Sequence, residues 1–139
     1  EGFGLNFKFT DLQATIGISQ FSKLEDFINQ KMRIQNYYKE LLDSKKFNIV
    51  EFAEYELPWF YTIRLNEIKI DELISFLTSK NIETRMLYPP LNKQKFLEEY
   101  AYVDVSSSLN TFEKYLWLPS STKLTNDQVD YICSTLNSF

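Results

Sequence analysis

The chain has 139 residues, 44% hydrophobic and 17% aromatic, with a formal net charge of −4. That length holds one compact domain with a sizeable core, and the acidic balance without any Lys/Arg-rich run excludes the basic face that nucleic acid requires. No histidine and a single cysteine exclude Ser-His-Asp and Cys-His nucleophile systems, most zinc sites and any internal disulfide.

The opening Glu1-Gly2-Phe3-Gly4 reads as the interior of a longer protein. All three glycines (Gly2, Gly4, Gly17) fall in the first 17 residues, so no later segment supplies a glycine-rich phosphate loop. Thr10 to Gln13 forms a T-x-x-Q capping box and predicts a helix to about Phe21. Gly17 inside that helix is expected to mark close backbone packing. Ser22 to Glu25 forms a second box, S-x-x-E, opening a long helix with the apolar stripe Leu24, Phe27, Ile28, Ile34, Tyr38, Leu41 and Leu42.

Pro58 to Leu65, rich in aromatic and β-branched residues, predicts a strand. Alternation along it sends Trp59 and Tyr61 to one face and Phe60 to the other, and with Trp117 these aromatics are expected in the core. A helix over about Ile70 to Ser79 follows, ended by Asn81, which tolerates the left-handed conformation. Ile82 to Met86 is a second strand. Pro89-Pro90 stiffens the loop after it. Lys93 to Tyr100 predicts a short helix, Val103 to Ser108 a polar connection, and Asn110 a cap for a helical turn through Tyr115. Tyr115 to Leu118 is a third strand. Thr125 to Gln128 is a further capping box, opening a last helix to about Asn137 whose apolar face holds Cys133 as a buried thiol.

Three short strands banked against helices make a small α/β (α+β) layer structure, preceded by long helices that read as a bridge. No apolar run reaches the ~18 residues of a membrane span, and no secretory signal is present. With an unpaired thiol, the expected location is the cytoplasm.

Four stretches together resemble the DegT/DnrJ/StrS sugar aminotransferases of pyridoxal-phosphate (PLP) fold type I. They are Gly4-Leu5-Asn6-Phe7-Lys8-Phe9-Thr10-Asp11-Leu12-Gln13-Ala14-Thr15-Ile16-Gly17, Pro58 to Arg64, Ile82-Glu83-Thr84-Arg85 with Leu87-Tyr88-Pro89-Pro90-Leu91, and Leu116-Trp117-Leu118-Pro119-Ser120 with Leu124-Thr125. The W-F-Y strand and the Y-P-P loop are most similar to the branch containing perosamine synthases. Order and spacing match the family's C-terminal portion. Residues 1–21 then correspond to an interdomain and dimer-contact segment and 22–139 to the small domain, with the large PLP domain outside this chain.

The resemblance implies a homodimeric, PLP-dependent parent enzyme that moves an amino group, typically from glutamate, to a keto carbon of a nucleotide-linked deoxysugar for polysaccharide or glycan synthesis. It places Asn6 on the PLP phosphate of the neighbouring subunit, where a turn or cap asparagine is the plainer alternative. Lys8 stands where the family has an arginine contacting substrate phosphates or sugar; it keeps the charge but loses bidentate geometry, and a solvated lysine is the other reading. Arg85, at a strand end before the stiff loop, suits anchoring a phosphate or sugar, or an ion pair with Glu83. Tyr88 suits stacking on a sugar, or packing on the core. Trp59 and Asn92 occupy positions where many members carry histidine. No lysine here stands in the family's context for the cofactor-anchoring residue, so no residue of this chain is assigned a catalytic role. A sugar dehydratase of the same family and a non-catalytic interaction module are the rival readings.

Overall fold

The computed structural model describes residues 7–53, 55–100 and 106–139. Helix α1 (Asp11–Phe21) begins at the expected capping box: Thr10 Oγ1 accepts from the Gln13 N–H and Gln13 Oε1 accepts from the Thr10 N–H at 2.9 Å. No residue of α1 is buried. The expectation of close packing at Gly17 is overturned, since a Cβ placed there would meet nothing within 4 Å.

Helix α2 (Leu24–Leu41) starts one residue later than a cap at Ser22 predicts, with Lys23 as an N-cap that makes no side-chain bond. Ser22 is still helical (φ −62°, ψ −15°) as the C-cap of α1, and its hydroxyl donates back to Ser19 O. An N-cap needs an extended residue, so the second capping box never forms. The apolar stripe of α2 is divided as well: Ile34, Tyr38 and Leu42 are buried, whereas Leu24 and Ile28 are exposed.

Four strands, not three, form one antiparallel sheet in the order β1-β2-β4-β3. They are β1 (Phe47–Ile49), β2 (Tyr61–Leu65), β3 (Arg85–Met86) and β4 (Tyr115–Leu118). The additional strand is three residues of edge, pairing Phe47 with Leu65 and Ile49 with Ile63; so short a run carries no readable alternation. Strand β2 begins three residues later than its composition predicts, because Trp59 and Phe60 lie in a bend before the ladder. Strand β3 is the opposite edge, matching Arg85 to Trp117 and Met86 to Leu116.

The pleat separates two faces. Phe47, Tyr61, Ile63, Leu65, Leu116 and Leu118 point inward and are buried. Three helices cover them: Ile34 and Tyr38 of α2, Ile70, Leu73 and Leu77 of α3 (Ile70–Ser79), and Val129, Ile132, Cys133 and Leu136 of α5 (Asn126–Ser138). Each fully buried aliphatic side chain contributes about 1.5–3 kcal/mol of transfer free energy. Polar ties fix α2 to its neighbours. Tyr38 Oη donates to Pro119 O at 3.1 Å, Tyr37 Oη to Asp130 at 2.8 Å, and Arg33 to Leu124 O at 2.9 Å and to Asn126 Oδ1.

Helix α3 ends as expected: Asn81 takes a left-handed φ of 58°, and Ile82 N–H returns to Leu77 O at 2.9 Å, burying Ile82 beside Leu77. The T-x-x-Q box at Thr125 opens α5, also as expected. Between β3 and β4 two expectations are corrected. Lys93 to Tyr100 is not a regular helix but belongs to two 3-10 turns, Leu91–Lys93 and Lys95–Tyr100. Asn110 caps nothing, lying inside α4 (Ser106–Thr111), so that the predicted polar connection is already helical from residue 106.

Candidate functional site

The outward face of the sheet carries the residues left over by the core. Thr62 and Arg85 both stand opposite Trp117 in the ladder, and Arg64 stands opposite Tyr115. Just before β2, Phe60 lies stacked on Trp117, with ring centroids 4.4 Å apart and planes at 18°. Tyr88 meets the Trp117 ring edge-on at 5.2 Å, and Trp59 meets Phe60 edge-on at 6.3 Å. The result is a ladder of four aromatic rings across one end of the sheet. The core assignment therefore holds for Tyr61 and fails for the others: Trp59 is 81% exposed, and Phe60 and Trp117 are half-buried. Trp59 escapes the alternation with Tyr61 because the bend precedes the strand.

Lys31 sets that bend. Its Nζ donates to Trp59 O at 2.6 Å and lies 5.1 Å from the Tyr61 ring centroid, while Tyr61 Oη donates to Lys31 O at 2.9 Å. Burial pushes the Lys31 ammonium below its ordinary value.

Of the four site residues read from the sequence, the structure brings two together. Arg85 lies beneath the ladder through its pairing with Trp117, and its guanidinium is 3.5 Å from Glu83 Oε1. Both side chains are mainly exposed, so the pair contributes little stability and leaves Arg85 available. Tyr88 is 75% exposed, touching the ladder rather than packing into the core. Lys8 is exposed on the segment before α1, which joins neither Arg85 nor Tyr88. Asn6 lies outside the described residues. Asn92 has a buried Oδ1 without a hydrogen-bond partner in a second cleft, lined by Thr62 and Tyr115 of the outward face and by Leu91 and Phe112.

Trp117 and Phe60 were the site residues the sequence reading placed elsewhere. The signal was present in Y-L-W-L: once Leu116 and Leu118 face the core, Trp117 must face out. Along the β3 edge the ladder borders a cleft of about 790 Å³ closed on the other side by the first turns of α5. Among the described residues no group of three His, Cys, Asp or Glu side chains is placed to hold a metal. Likewise no described helix is long and apolar enough to cross a membrane. Cys133 is buried in the core, and burial pushes its thiol up to about 12, which removes it as a nucleophile.

The model of the DegT/DnrJ/EryC1/StrS aminotransferase family matches residues 1–137. The chain belongs to that family. Among its relatives in the family, GDP-perosamine synthase of Escherichia coli O157:H7 is 31% identical over 143 residues, a match covering 98% of this chain and 38% of the relative. The lipopolysaccharide biosynthesis protein RfbH of Salmonella typhimurium is also 31% identical, with 98% of this chain and 34% of the relative covered. A DegT/DnrJ/EryC1/StrS aminotransferase from Brucella abortus superimposes with a TM-score of 0.85 at 24% identity, over 97% of this chain and 37% of that one. The chain thus spans little more than a third of the length of these family members, and its four-stranded sheet with helices on one side is their fold in that part.

Proposed function

We propose that the chain is the C-terminal portion of a PLP-dependent aminotransferase that aminates a nucleotide-linked keto-deoxysugar, with residues 1–21 as the interdomain and dimer-contact segment and 22–139 as the small domain. The observation that carries this reading is the family match over residues 1–137, with GDP-perosamine synthase among the relatives at 31% identity. It is supported by the uncovered apolar side chains around α1, where Leu12, Ile18 and Phe21 are each more than 70% exposed. Apolar surface of this kind suits contact with another part of an assembly, here the large domain and the second subunit.

Bound PLP supplies the carbonyl that carries the amino group between donor and sugar. Asn6 would hold its phosphate across the dimer, Lys8, on the exposed segment before α1, would contact the phosphates or sugar of the substrate there, and Arg85 and Tyr88 would form the substrate rim. No lysine of this chain stands in the family's context for the cofactor-anchoring residue. The chain by itself is therefore inactive, and its product, an amino sugar for surface polysaccharide or glycan, requires the rest of the polypeptide.

The test is to express the complete coding sequence and incubate the purified protein with a GDP-linked 4-keto-6-deoxysugar and glutamate. A product that has gained nitrogen, with 2-oxoglutarate formed alongside, is expected. A product that has lost a hydroxyl and gained no nitrogen would move the reading to a dehydratase, and no turnover of any keto sugar would leave the interaction module.

A further inference from the structure

Lys31 stands in a small cleft of about 280 Å³ between α2 and the entry to β2, where every other lining residue, Leu24, Phe27, Leu57 and Pro58 among them, is uncharged. Burial there disfavours its ammonium, and among the described residues no carboxylate forms an ion pair with it. An apolar side chain of similar length would fill the space without the desolvation cost of a charge. What the ammonium adds is the 2.6 Å hydrogen bond to Trp59 O and a position 5.1 Å from the Tyr61 ring centroid, within cation–π reach.

The carbonyl that Lys31 holds governs how the chain enters β2. On the other side of Phe60, the Tyr61 N–H donates to Ser120 Oγ at 2.9 Å, and the Ser120 hydroxyl donates to Leu118 O at 2.7 Å. Phe60 is thus tethered twice, through the preceding carbonyl to α2 and through the following N–H to the segment after β4. Between the two tethers its ring lies stacked on Trp117, and Trp59 is turned outward to meet Phe60 edge-on. Regular pleating without the first tether would carry Trp59 to the side of Tyr61 and remove that contact. Tyr88 leans on the same Trp117 ring and Arg85 stands opposite Trp117 in the ladder, so whatever seats Phe60 also sets the surface beside them. We infer that Lys31 is a positioning residue of the substrate rim: by holding Trp59 O it seats Phe60 on Trp117 and fixes the aromatic surface against which Tyr88 and Arg85 are set. Lys31 touches no substrate and acts from a helix on the opposite face of the sheet. The inference rests on the proposed action on a nucleotide-linked sugar, and adds a residue that shapes the rim from outside it.

Two bonds join the same pair of elements, Lys31 Nζ to Trp59 O and Tyr61 Oη to Lys31 O at 2.9 Å, and only the first reaches the bend. Lys31→Met and Tyr61→Phe remove them one at a time, and Lys31→Arg keeps both the charge and a donor. In the chain carrying Trp59→Phe, Trp117 is the one tryptophan, since the sequence holds two, and its near-ultraviolet circular dichroism reads the Phe60 stack. Lys31→Met is expected to abolish most of that band and Lys31→Arg to keep it. Tyr61→Phe is expected to keep it as well while lowering the urea midpoint. In the complete enzyme, assayed with a GDP-linked 4-keto-6-deoxysugar and glutamate, Lys31→Met is expected to raise KM for the sugar nucleotide about ten-fold with kcat little changed, whereas Lys31→Arg and Tyr61→Phe stay near the parent. If Lys31→Met does not fold, Lys31→Gln, shorter and uncharged, takes its place in both measurements. An unmoved Trp117 band in the folded variant overturns the inference, as does a KM raised equally by Tyr61→Phe, which would mark a general loosening of α2. If the complete enzyme transaminates and the Lys31 variant keeps the parent KM, the positioning role is wrong and the function stands. If the complete protein transfers no amino group, the function is wrong and the Trp117 band alone decides the role of Lys31.

Discussion

Alkaline pH should unfold this domain through three groups that the core holds protonated. Cys133 is pushed up by burial, with Asp130 adding to it, from 9.0 to about 12. Burial likewise raises Tyr61 from 10.0 to about 12, and raises Tyr38 further. All three side chains are at most 1% exposed. A folded-state value above the unfolded one means stability that is complete below the unfolded value and is lost as pH rises toward the folded one. Each pH unit in that window costs about 1.4 kcal/mol per group. By pH ~11 the thiol has withdrawn roughly 3 kcal/mol and each tyrosine about 1, together about 5 kcal/mol, which equals the lower end of a domain's whole stability. Lys31 works in the opposite sense, because burial lowers its folded value and the unfolded chain binds the extra proton. Urea midpoints at constant ionic strength read the effect directly. Between pH ~9 and ~10 the thiol contributes about 1 kcal/mol and the two tyrosines together somewhat less, so the wild-type chain loses about 2 kcal/mol there and Cys133→Ala less than half as much. A midpoint flat across that interval, or an equal slope in Cys133→Ala, would refute the reasoning.

Helix capping offers a contrast within one chain. Thr125→Ala should lower the urea-derived stability by about 1 kcal/mol, because α5 is packed into the core; Thr10→Ala should reduce helical circular dichroism and leave the urea midpoint unchanged. Asn81→Ala forces a β-carbon into the left-handed turn and should cost about 1 kcal/mol, while Asn81→Gly at the same φ should cost less, both read from thermal melts. Ile18→Ser with Phe21→Ser should reduce concentration-dependent light scattering of the isolated chain without shifting its melting temperature. In the complete enzyme, Asn6→Ala should release PLP more readily on dialysis, measured as lost cofactor absorbance, and unchanged retention would remove Asn6 from the phosphate site.

Local rules of the sequence carried where a single pattern decided the outcome. The boxes at Thr10 and Thr125, the left-handed Asn81 and the buried Cys133 each depend on neighbours a few residues away or on helical spacing. Ser22 failed by the same logic: two helix signals overlapped, and the last turn of α1 took the residue that the next cap required. Strand β1 was not legible because three residues show no period, and its existence depends on Leu65 and Ile63 across the ladder. Trp59 departs from the alternation because Lys31, a tertiary contact 28 residues away, bends the chain before the strand begins. The aromatic ladder is legible only in part: Y-L-W-L turns Trp117 outward, but that Arg85 stands beside it follows only from the pairing of β3 with β4.

Helix α1 is opened by its capping box and buries none of its side chains. Its eleven residues fall below the length at which a helix persists alone in water, whereas among the described residues every buried core residue lies at Ile34 or later. The sheet and its covering helices are thus specified by a stretch of the polypeptide separate from α1. Substitutions can accumulate on α1 without altering how the sheet and those helices come together.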